Sequence, residues 1–469
     1  MTTTPPQLKK MKEWKLRVLD SKSPSFCGAK WYNASMWLFT GWTTSCHHNP
    51  PHEIDIDAIK NNPRALHNTP IKKNERAMMQ RGEKPLNCQF CWVMEDTDPD
   101  NLADRTWLST MSSEKELQEA FDSDNDRDFD LQYLEISFDR TCNLACSYCC
   151  PAISSSWARD IRNNGPYLDL TTDQRQHYIS SSDEFIKYKP NQPNPYAEAF
   201  FQWWESSLHK SLRVLRLTGG EPMMSGETWR LFEWMKQNKG KSRCTIHITT
   251  NLCYDKQTMD RFLSAADNMG PRIEIFTSGE AFGSKGEYIR DGLDWEQWIG
   301  NVDAALESKS IRKVSICGTI SAPAVDGFAE FLQWLIEKKK TLPHGQLELS
   351  VNPVRFPTFQ NIIVLPIELR QRYSREISEL LHSEDGVKWF TDFEKDHIGR
   401  FVTYLDKVEI PHKEERQGHG DTLFTDVDKQ FDIKALQEDC KKFFTQYDQR
   451  RNKNFCEIFP NLKDWWESI

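Results

Sequence analysis

Three cysteines on one short segment are the residues of this chain best suited to chemistry. Cys142, Cys146 and Cys149 are spaced as Cys-x3-Cys-x2-Cys and follow an apolar stretch, residues 131–138, that predicts a buried strand. Three soft thiolates can ligate three irons of a cubane cluster and leave the fourth iron open to a substrate or cofactor. A zinc knuckle and reduced core cysteines are the alternatives. Zinc sites usually use paired Cys-x2-Cys units, so the mixed spacing favours the cluster.

The elements that must position this loop follow from alternating sequence patterns. Strand candidates at 133–138, 212–217, 244–249, 273–277, 314–320 and 347–351 alternate with helical stretches at 228–237, 256–266, 295–307 and 328–338. This alternation predicts an α/β fold with a parallel sheet and helices outside. Six units are fewer than the eight of a complete barrel, so we expect an open, partial (β/α)6 TIM-like barrel. Ligands should gather at the carboxyl ends of its strands, where the cysteine segment begins.

The chain length of 469 residues predicts about three domain-sized units. Residues 1–125 lack the alternation and carry Cys27, Cys46, Cys88 and Cys91, which indicates a small metal-stapled domain. Residues 126–385 should form the α/β core, with an insert near 163–211 that we interpret as packing for an outer helix, the alternative being a lid. Residues 386–469 have a mainly helical pattern.

Composition narrows the classes of function. The net charge of −9 is not the footprint of a protein that binds phosphate backbones, so nucleic acid is disfavoured as a partner. No run of about 18 apolar residues occurs and no signal-peptide core follows the first residues, so we expect no membrane span and a cytoplasmic location. Thirteen cysteines in a reducing compartment favour metal binding over disulfides.

A second motif, Gly219-Gly220-Glu221-Pro222, follows the second strand candidate. Its glycines let the backbone approach a ligand closely, and its glutamate can accept hydrogen bonds from an ammonium group. Alone, the segment fits an ordinary turn with an exposed acid. Together with the Cys-x3-Cys-x2-Cys segment and its aromatic residue before the last cysteine, it resembles the radical S-adenosylmethionine (SAM) superfamily over residues 131–355.

The resemblance implies a partial barrel of the radical SAM type and a role for each matching cofactor residue. The three cysteines match the ligands of a [4Fe–4S] cluster whose open iron binds the amino and carboxylate groups of SAM. Tyr148 matches the aromatic residue beside the adenine, and Gly219, Gly220 and Glu221 match the segment that contacts the methionine amino group.

Two further residues resemble a SAM-binding pair of the peptide-modifying branch. Ser278 and Arg290 are similar to the Ser…Arg pair that binds the ribose and carboxylate of SAM. The match is looser, because the usual Ser-x-Asp-Gly reads Ser-Gly-Glu-Ala in this chain. Ordinary polarity of a surface loop is the alternative.

The N-terminal cysteines resemble the auxiliary-cluster domains called SPASM or twitch. Cys27 and Cys46 flank a glycine in the Cys-x(9–15)-Gly-x4-Cys pattern, and Cys88-x2-Cys91 looks like the cysteine pair that follows it. The match implies a second, auxiliary [4Fe–4S] cluster. In the familiar arrangement this domain follows the core, whereas here it precedes it. Zinc therefore stays open as the alternative, as does replacement of a thiolate by His47 or His48.

The resemblance implies a radical SAM enzyme that cleaves SAM reductively and abstracts hydrogen from a peptide or protein side chain. An external electron donor such as a flavodoxin or ferredoxin would be its partner. One alternative is the same chemistry on a small molecule, a nucleoside or a sugar. Another is a non-catalytic iron–sulfur or zinc-stabilised scaffold, against which the Gly-Gly-Glu-Pro motif argues, because a scaffold needs no contact with SAM.

Overall fold

The chain folds around one nine-stranded sheet. A computed structural model describes residues 5–98, 101–173, 176–190, 192–270, 272–407 and 433–469. Eleven strands lie within these residues: β1 Asn33–Trp37, β2 Trp42–Thr44, β3 His52–Glu53, β4 Tyr133–Ser137, β5 Ala145–Cys146, β6 Val214–Thr218, β7 Thr245–Thr250, β8 Arg272–Ser278, β9 Arg290–Asp291, β10 Ile311–Ile320 and β11 Leu347–Pro353. The sheet order is β11-β10-β8-β7-β6-β4-β1-β2-β3, and β5 and β9 pair separately.

Six strands of this sheet are the predicted ones. β4, β6, β7, β8, β10 and β11 are neighbours in chain order, and each pairs in parallel with the next. Their buried side chains alternate along the strand, as at Ile246 and Ile248 of β7, because successive side chains of a strand point to opposite faces. The mixed α/β fold with a large parallel sheet is confirmed, and the described strands form an open sheet without barrel closure.

Helices surround the sheet and follow its strands. The described α-helices are α1 Pro5–Trp14, α2 Ala29–Tyr32, α3 Ile56–Asn61, α4 Pro70–Gln80, α5 Gln89–Thr97, α6 Asp104–Ser109, α7 Glu114–Phe121, α8 Ser155–Asn164, α9 Pro195–Trp203, α10 His209–Ser211, α11 Gly226–Gln237, α12 Lys256–Met269, α13 Gly283–Ile289, α14 Trp295–Glu307, α15 Phe328–Lys339, α16 Ile367–His382, α17 Glu384–Trp389, α18 Asp392–Asp406, α19 Ile433–Arg451, α20 Phe455–Ile458 and α21 Lys463–Ser468. The four helices predicted in the core are α11, α12, α14 and α15.

The N-terminal region contributes three strands to the same sheet. β1 pairs in parallel with β4 over its full length, from Asn33 opposite Tyr133 to Trp37 opposite Ser137. β2 and β3 continue the sheet in antiparallel pairing. The pattern of residues 1–125 did not predict these strands. The division of the chain near residue 125 stays a prediction, and the sheet is continuous across it.

The insert and the C-terminal region both pack against the core. Helix α9 of the insert buries Phe200, Phe201 and Trp203, and the Tyr196 hydroxyl donates to the Ile54 carbonyl at 3.1 Å. Helix α19 lies beside the segment that carries the three cysteines, where the Tyr447 hydroxyl donates to the Ala145 carbonyl at 3.4 Å. No helix within the described residues is long and apolar enough to cross a membrane.

Candidate functional site

The cysteine loop, residues 142–149, lies at the carboxyl end of β4. Its middle forms β5, which pairs antiparallel with β9 so that Cys146 is opposite Arg290. The amide of Ser147 donates to the Ile289 carbonyl at 2.7 Å, which continues the pairing. The cysteine loop is therefore attached at its centre to a segment 144 residues further along the chain.

Side chains from three directions satisfy the backbone of the cysteine loop. The carbonyl of Ser147 accepts from the Tyr178 hydroxyl at 2.7 Å and from the Gln360 amide at 2.9 Å. The carbonyl of Cys146 accepts from the Trp157 indole at 2.8 Å. Because buried backbone groups without partners are costly, these bonds fix the path of the loop.

The start of α8 holds the first cysteine. The amide of Cys142 donates to the Ser155 hydroxyl at 3.0 Å, and its carbonyl accepts from the Ser156 hydroxyl at 2.7 Å. Ser154 caps the helix and donates its hydroxyl to the Leu144 carbonyl at 3.0 Å. Serine clusters favour helix starts because their hydroxyls bond nearby backbone groups, and here the same hydroxyls bond the loop.

A buried carboxylate connects the cysteine loop to β8 and β9. Glu280 accepts from the Arg290 guanidinium at 2.7 and 3.1 Å and from the Tyr148 hydroxyl at 3.0 Å. Arg290 also points Nη1 at the Cys146 sulfur, 3.5 Å away, and lies 5.5 Å from the Tyr148 ring centre. Burial opposes the charge on Arg290, but the Glu280 carboxylate outweighs it and raises the arginine pKa well above its usual value.

The two glycines after β6 lie directly against the backbone that leads into the cysteine loop. A Cβ on Gly220 would lie 2.4 Å from the Thr141 carbonyl oxygen, and one on Gly219, whose φ is +132°, would lie 2.7 Å from the Asp139 carbonyl oxygen. The Glu221 amide donates to the Thr141 carbonyl at 2.6 Å. Only glycine permits this approach, so the motif and the loop are packed as one unit.

Glu221 is buried beside these glycines. Its carboxylate accepts from the Thr250 hydroxyl at 2.9 Å, the Tyr254 hydroxyl at 2.6 Å and the backbone amides of Asn251 at 2.7 Å and Met223 at 3.1 Å. Burial raises its pKa despite these donors. In this structure Glu221 ties β6 to β7, and its contact with the amino group of SAM stays a prediction.

The end of β7 reaches the cysteine loop from the other side. The Asn143 side-chain amide donates to the Cys253 carbonyl at 2.8 Å, and Asn251 donates to the Asn143 side-chain oxygen at 2.7 Å. Cys253 is buried, which raises the pKa of its thiol. Sequence reasoning missed the contact of Cys253 with the cysteine loop. The available signal was its position, three residues after a strand at the ligand-bearing edge.

The three cysteine thiols fit a cluster. Burial, followed by the charge of Cys146, raises the pKa of Cys142 to about 12. Burial also raises the pKa values of Cys146 and Cys149, and Arg290 counteracts the shift at Cys146. Thiols of this kind ionise when a metal binds them, and the guanidinium supplies a positive charge beside the resulting thiolates. The donor set therefore suits an iron–sulfur cluster on this loop.

Ser278 and Arg290 lie at the same edge of the sheet but differ in their surroundings. Ser278 ends β8 opposite Cys317 of β10, whereas Arg290 is bound to Glu280. The role of both residues toward SAM stays a prediction. Glu280 was missed by sequence reasoning, although its position two residues after Ser278 marked it as part of the same strand end.

A second group of thiols lies near the amino-terminal ends of the parallel strands β1 and β4. The four-cysteine site consists of Cys27, Cys46, Cys88 and Cys91, which line one small cavity. The Cys46 thiol donates to the Asn49 side-chain oxygen at 2.7 Å, and the Asn49 amide donates to the Cys88 sulfur at 3.5 Å. Burial, followed by the neighbouring thiols, raises the pKa of Cys27 to about 12. The predicted ligands are thus brought together, and four thiols suit either a cubane cluster or zinc.

Buried cations adjoin the four-cysteine site. Lys30 lies on its wall, and its ammonium is 2.6 Å from the Glu75 carboxylate with both side chains buried. Arg105 lies on the same wall and pairs with Glu95 at 2.7 Å. These positive charges would offset the negative charge of a metal centre with four thiolates.

The four-cysteine site and the cysteine loop lie at opposite ends of β1 and β4. Residue 27 precedes α2 and β1, so it lies at the amino-terminal end of the parallel pair, whereas the cysteine loop follows the carboxyl end of β4. The four residue steps of the pair span about 13 Å at roughly 3.3 Å per residue. The two groups of thiols are therefore separate sites.

Comparisons with known proteins give similar solved structures and no sequence relative. No family model matches the chain, and no curated protein does. The structure titled native anSMEcpe with bound AdoMet and Cp18Cys peptide is 12% identical, covers 69% of this chain and 97% of its own, and has a TM-score of 0.30. Native anSMEcpe with bound AdoMet is 13% identical, covers 70% and 97%, and also has a TM-score of 0.30. At that TM-score neither match establishes a common fold.

Proposed function

We propose that this chain is a radical SAM enzyme that abstracts hydrogen from a peptide or protein side chain. The observation that carries the proposal is the assembly at the carboxyl edge of the sheet. The backbone that enters the cysteine loop packs against the glycines after β6, and the loop that carries the three thiols pairs with Arg290 at Cys146. This assembly joins the two motifs that resemble the superfamily, which lie on neighbouring strands.

Cys142, Cys146 and Cys149 would hold a [4Fe–4S] cluster, which when bound supplies one electron to SAM and yields methionine and a 5′-deoxyadenosyl radical. The bonds from Trp157 and Gln360 keep the cysteine backbone in place during ligand exchange. Trp157 and Tyr178, both fully buried where they bond the loop, would limit the access of water to a reactive radical.

Further residues of the same edge would bind and orient SAM. Gly219 and Gly220 would contact the methionine amino group, as the resemblance implies, and Tyr148 would lie beside the adenine. Glu280 holds Tyr148 and Arg290 in fixed positions. Such preorganisation would act as a proximity effect, because it would orient SAM beside the cluster when both are bound.

The substrate class and the second cofactor rest on the four-cysteine site. Its spacing resembles the SPASM/twitch domains, from which we propose a peptide substrate and an auxiliary [4Fe–4S] cluster. An external flavodoxin or ferredoxin would supply electrons. Deuterium transfer into 5′-deoxyadenosine from labelled peptides would support the peptide substrate, and transfer from labelled nucleosides or sugars instead would support the small-molecule alternative.

Anaerobic reconstitution tests the reaction class. Wild-type protein should bind about eight irons per chain, four for each cubane, and release 5′-deoxyadenosine when reduced in the presence of SAM. Cys146→Ala should abolish this release. Cys244→Ser is the matched control, because Cys244 is buried just before β7, outside both groups of thiols, and its sulfur accepts from the Ser242 hydroxyl at 3.2 Å. Equal release by Cys146→Ala and wild type would refute the assignment.

A further inference from the structure

Two imidazoles and one carboxylate converge beside the four-cysteine site. The Nε2 atoms of His47 and His48 both approach Oδ2 of Asp104, at 3.2 and 2.6 Å. The three ligand atoms all lie within 4.8 Å of one another. The His48 side chain is buried, and those of His47 and Asp104 are 65% and 39% exposed, so the group opens toward solvent on one side.

Packing fixes the ring of His48 in this orientation. It stacks on Phe90 with ring centres 3.5 Å apart and an angle of 12°, and His47 lies 3.9 Å from it. Phe90 lies between the last two cysteines of the four-cysteine site in the sequence. The imidazoles are thus directed at Asp104, and His48 and Asp104 also line the cavity of the four-cysteine site.

Both imidazoles meet one oxygen of a carboxylate. Oδ2 of Asp104 accepts a hydrogen bond from Nε2 of His48 at 2.6 Å, and Nε2 of His47 lies 3.2 Å from the same oxygen. Two imidazoles bonded to one carboxylate oxygen each place a proton where a metal ion could lie instead. Removal of these protons on binding is usual for histidine ligands.

We propose that His47, His48 and Asp104 bind a divalent first-row transition-metal ion at a site distinct from the four thiols. Two histidines and one carboxylate form the facial ligand set typical of such ions, with water in the open positions. Bonds of about 2.1 Å place neighbouring ligand atoms roughly 3.0–3.4 Å apart. The observed separations of 3.2 and 2.6 Å from Asp104 Oδ2 lie inside this range and about 0.4 Å below it, and the ligand nitrogens of the two imidazoles lie within 4.8 Å of each other. This proposal is independent of the radical chemistry.

Equilibrium dialysis of the full-length, iron-reconstituted protein against Zn²⁺ tests the site, with zinc and iron measured in the same sample. We expect one further zinc per chain at unchanged iron content. His47→Gln and Asp104→Asn should each weaken this binding by roughly 100-fold or more, because loss of even an outer partner costs about 10- to 100-fold. His47 is mostly exposed, so His47→Gln should fold normally.

Asp96→Asn is the matched control. Asp96 is an exposed carboxylate of the same region that pairs with Lys84 at 2.7 Å, and its loss should leave zinc binding unchanged. Zinc uptake that displaces iron would assign the metal to the thiols and overturn the proposal. Uptake that survives both His47→Gln and Asp104→Asn, or no uptake by wild type, would also overturn it.

Discussion

The cysteine loop and the four-cysteine site both offer cysteine thiols, but they take these thiols from the chain in different ways. The loop takes its three thiols from eight consecutive residues, and its backbone is fixed by strand pairing with β9 and by side chains of α8 and of the segment around residue 360. The four-cysteine site takes its thiols from separate segments between residues 27 and 91. A metal on the loop therefore closes no long stretch of chain, whereas a metal at the four-cysteine site does.

This difference suggests a division of roles. Ligands from distant segments make metal binding part of the folding free energy. Ligands on a loop already fixed by hydrogen bonds leave folding to the protein and keep a coordination position available for chemistry. Under the proposed function, the amino-terminal end of the sheet would use its metal for structure and the carboxyl end would use its metal for reaction.

Removal of one thiol from each site should give the largest contrast. Cys88→Ser should unfold much of residues 5–98, because structural metal binding contributes about 10–16 kcal/mol in small zinc domains. Cys146→Ala should keep the fold while it loses SAM cleavage. Limited proteolysis and circular dichroism measure the first effect, and 5′-deoxyadenosine release measures the second.

Cys456→Ser controls for loss of a thiol outside both sites, since Cys456 lies on α20 and is only partly buried. It should change neither proteolysis nor SAM cleavage. A stable Cys88→Ser variant together with an unfolded Cys146→Ala variant would reverse the comparison.

Local patterns explain why the carboxyl end of the sheet could be predicted. The alternation of buried residues such as Ile246 and Ile248 reports a strand directly, and the cysteine loop is contiguous. Because parallel strands place their carboxyl ends together, the motifs after β4 and β6 had to be neighbours. Hydrophobic period and spacing were sufficient for these features.

Long-range pairings explain what the sequence did not predict. β1 pairs with a strand 100 residues further along the chain, and its sequence, Asn-Ala-Ser-Met-Trp, is buried at four positions in succession without alternation. The contacts of Glu280 with Tyr148 and of His48 with Asp104 join residues 132 and 56 positions apart. Such contacts depend on tertiary packing, which propensity and period do not encode.

Glu280→Gln tests whether side-chain contacts hold the cysteine loop in place when no metal is bound. The Glu280 and Arg290 side chains are 0% and 6% exposed, and removal of one partner from a buried pair costs about 3–5 kcal/mol by leaving the other charge unpaired. Urea unfolding of the metal-free variant should show a loss of this size. Glu114→Gln, which breaks an exposed pair with Arg17, should leave the unfolding midpoint unchanged. Equal midpoints for Glu280→Gln and wild type would mean that the loop is fixed elsewhere.

Gly220→Ala should lower the free energy of unfolding by a smaller amount and should displace the cysteine loop. Its Cβ would lie 2.4 Å from the Thr141 carbonyl oxygen and 2.5 Å from that of Arg140, and because both are backbone atoms, the segment entering the loop must move. Overpacking of this kind costs about 1–3 kcal/mol, and iron loading at the loop should fall with it.

Gly300→Ala is the control, since Gly300 lies within α14 with no atom near its added Cβ, and alanine should stabilise that helix by about 1 kcal/mol. Normal iron loading in Gly220→Ala would show that the loop tolerates displacement and that its geometry is set by the thiols alone.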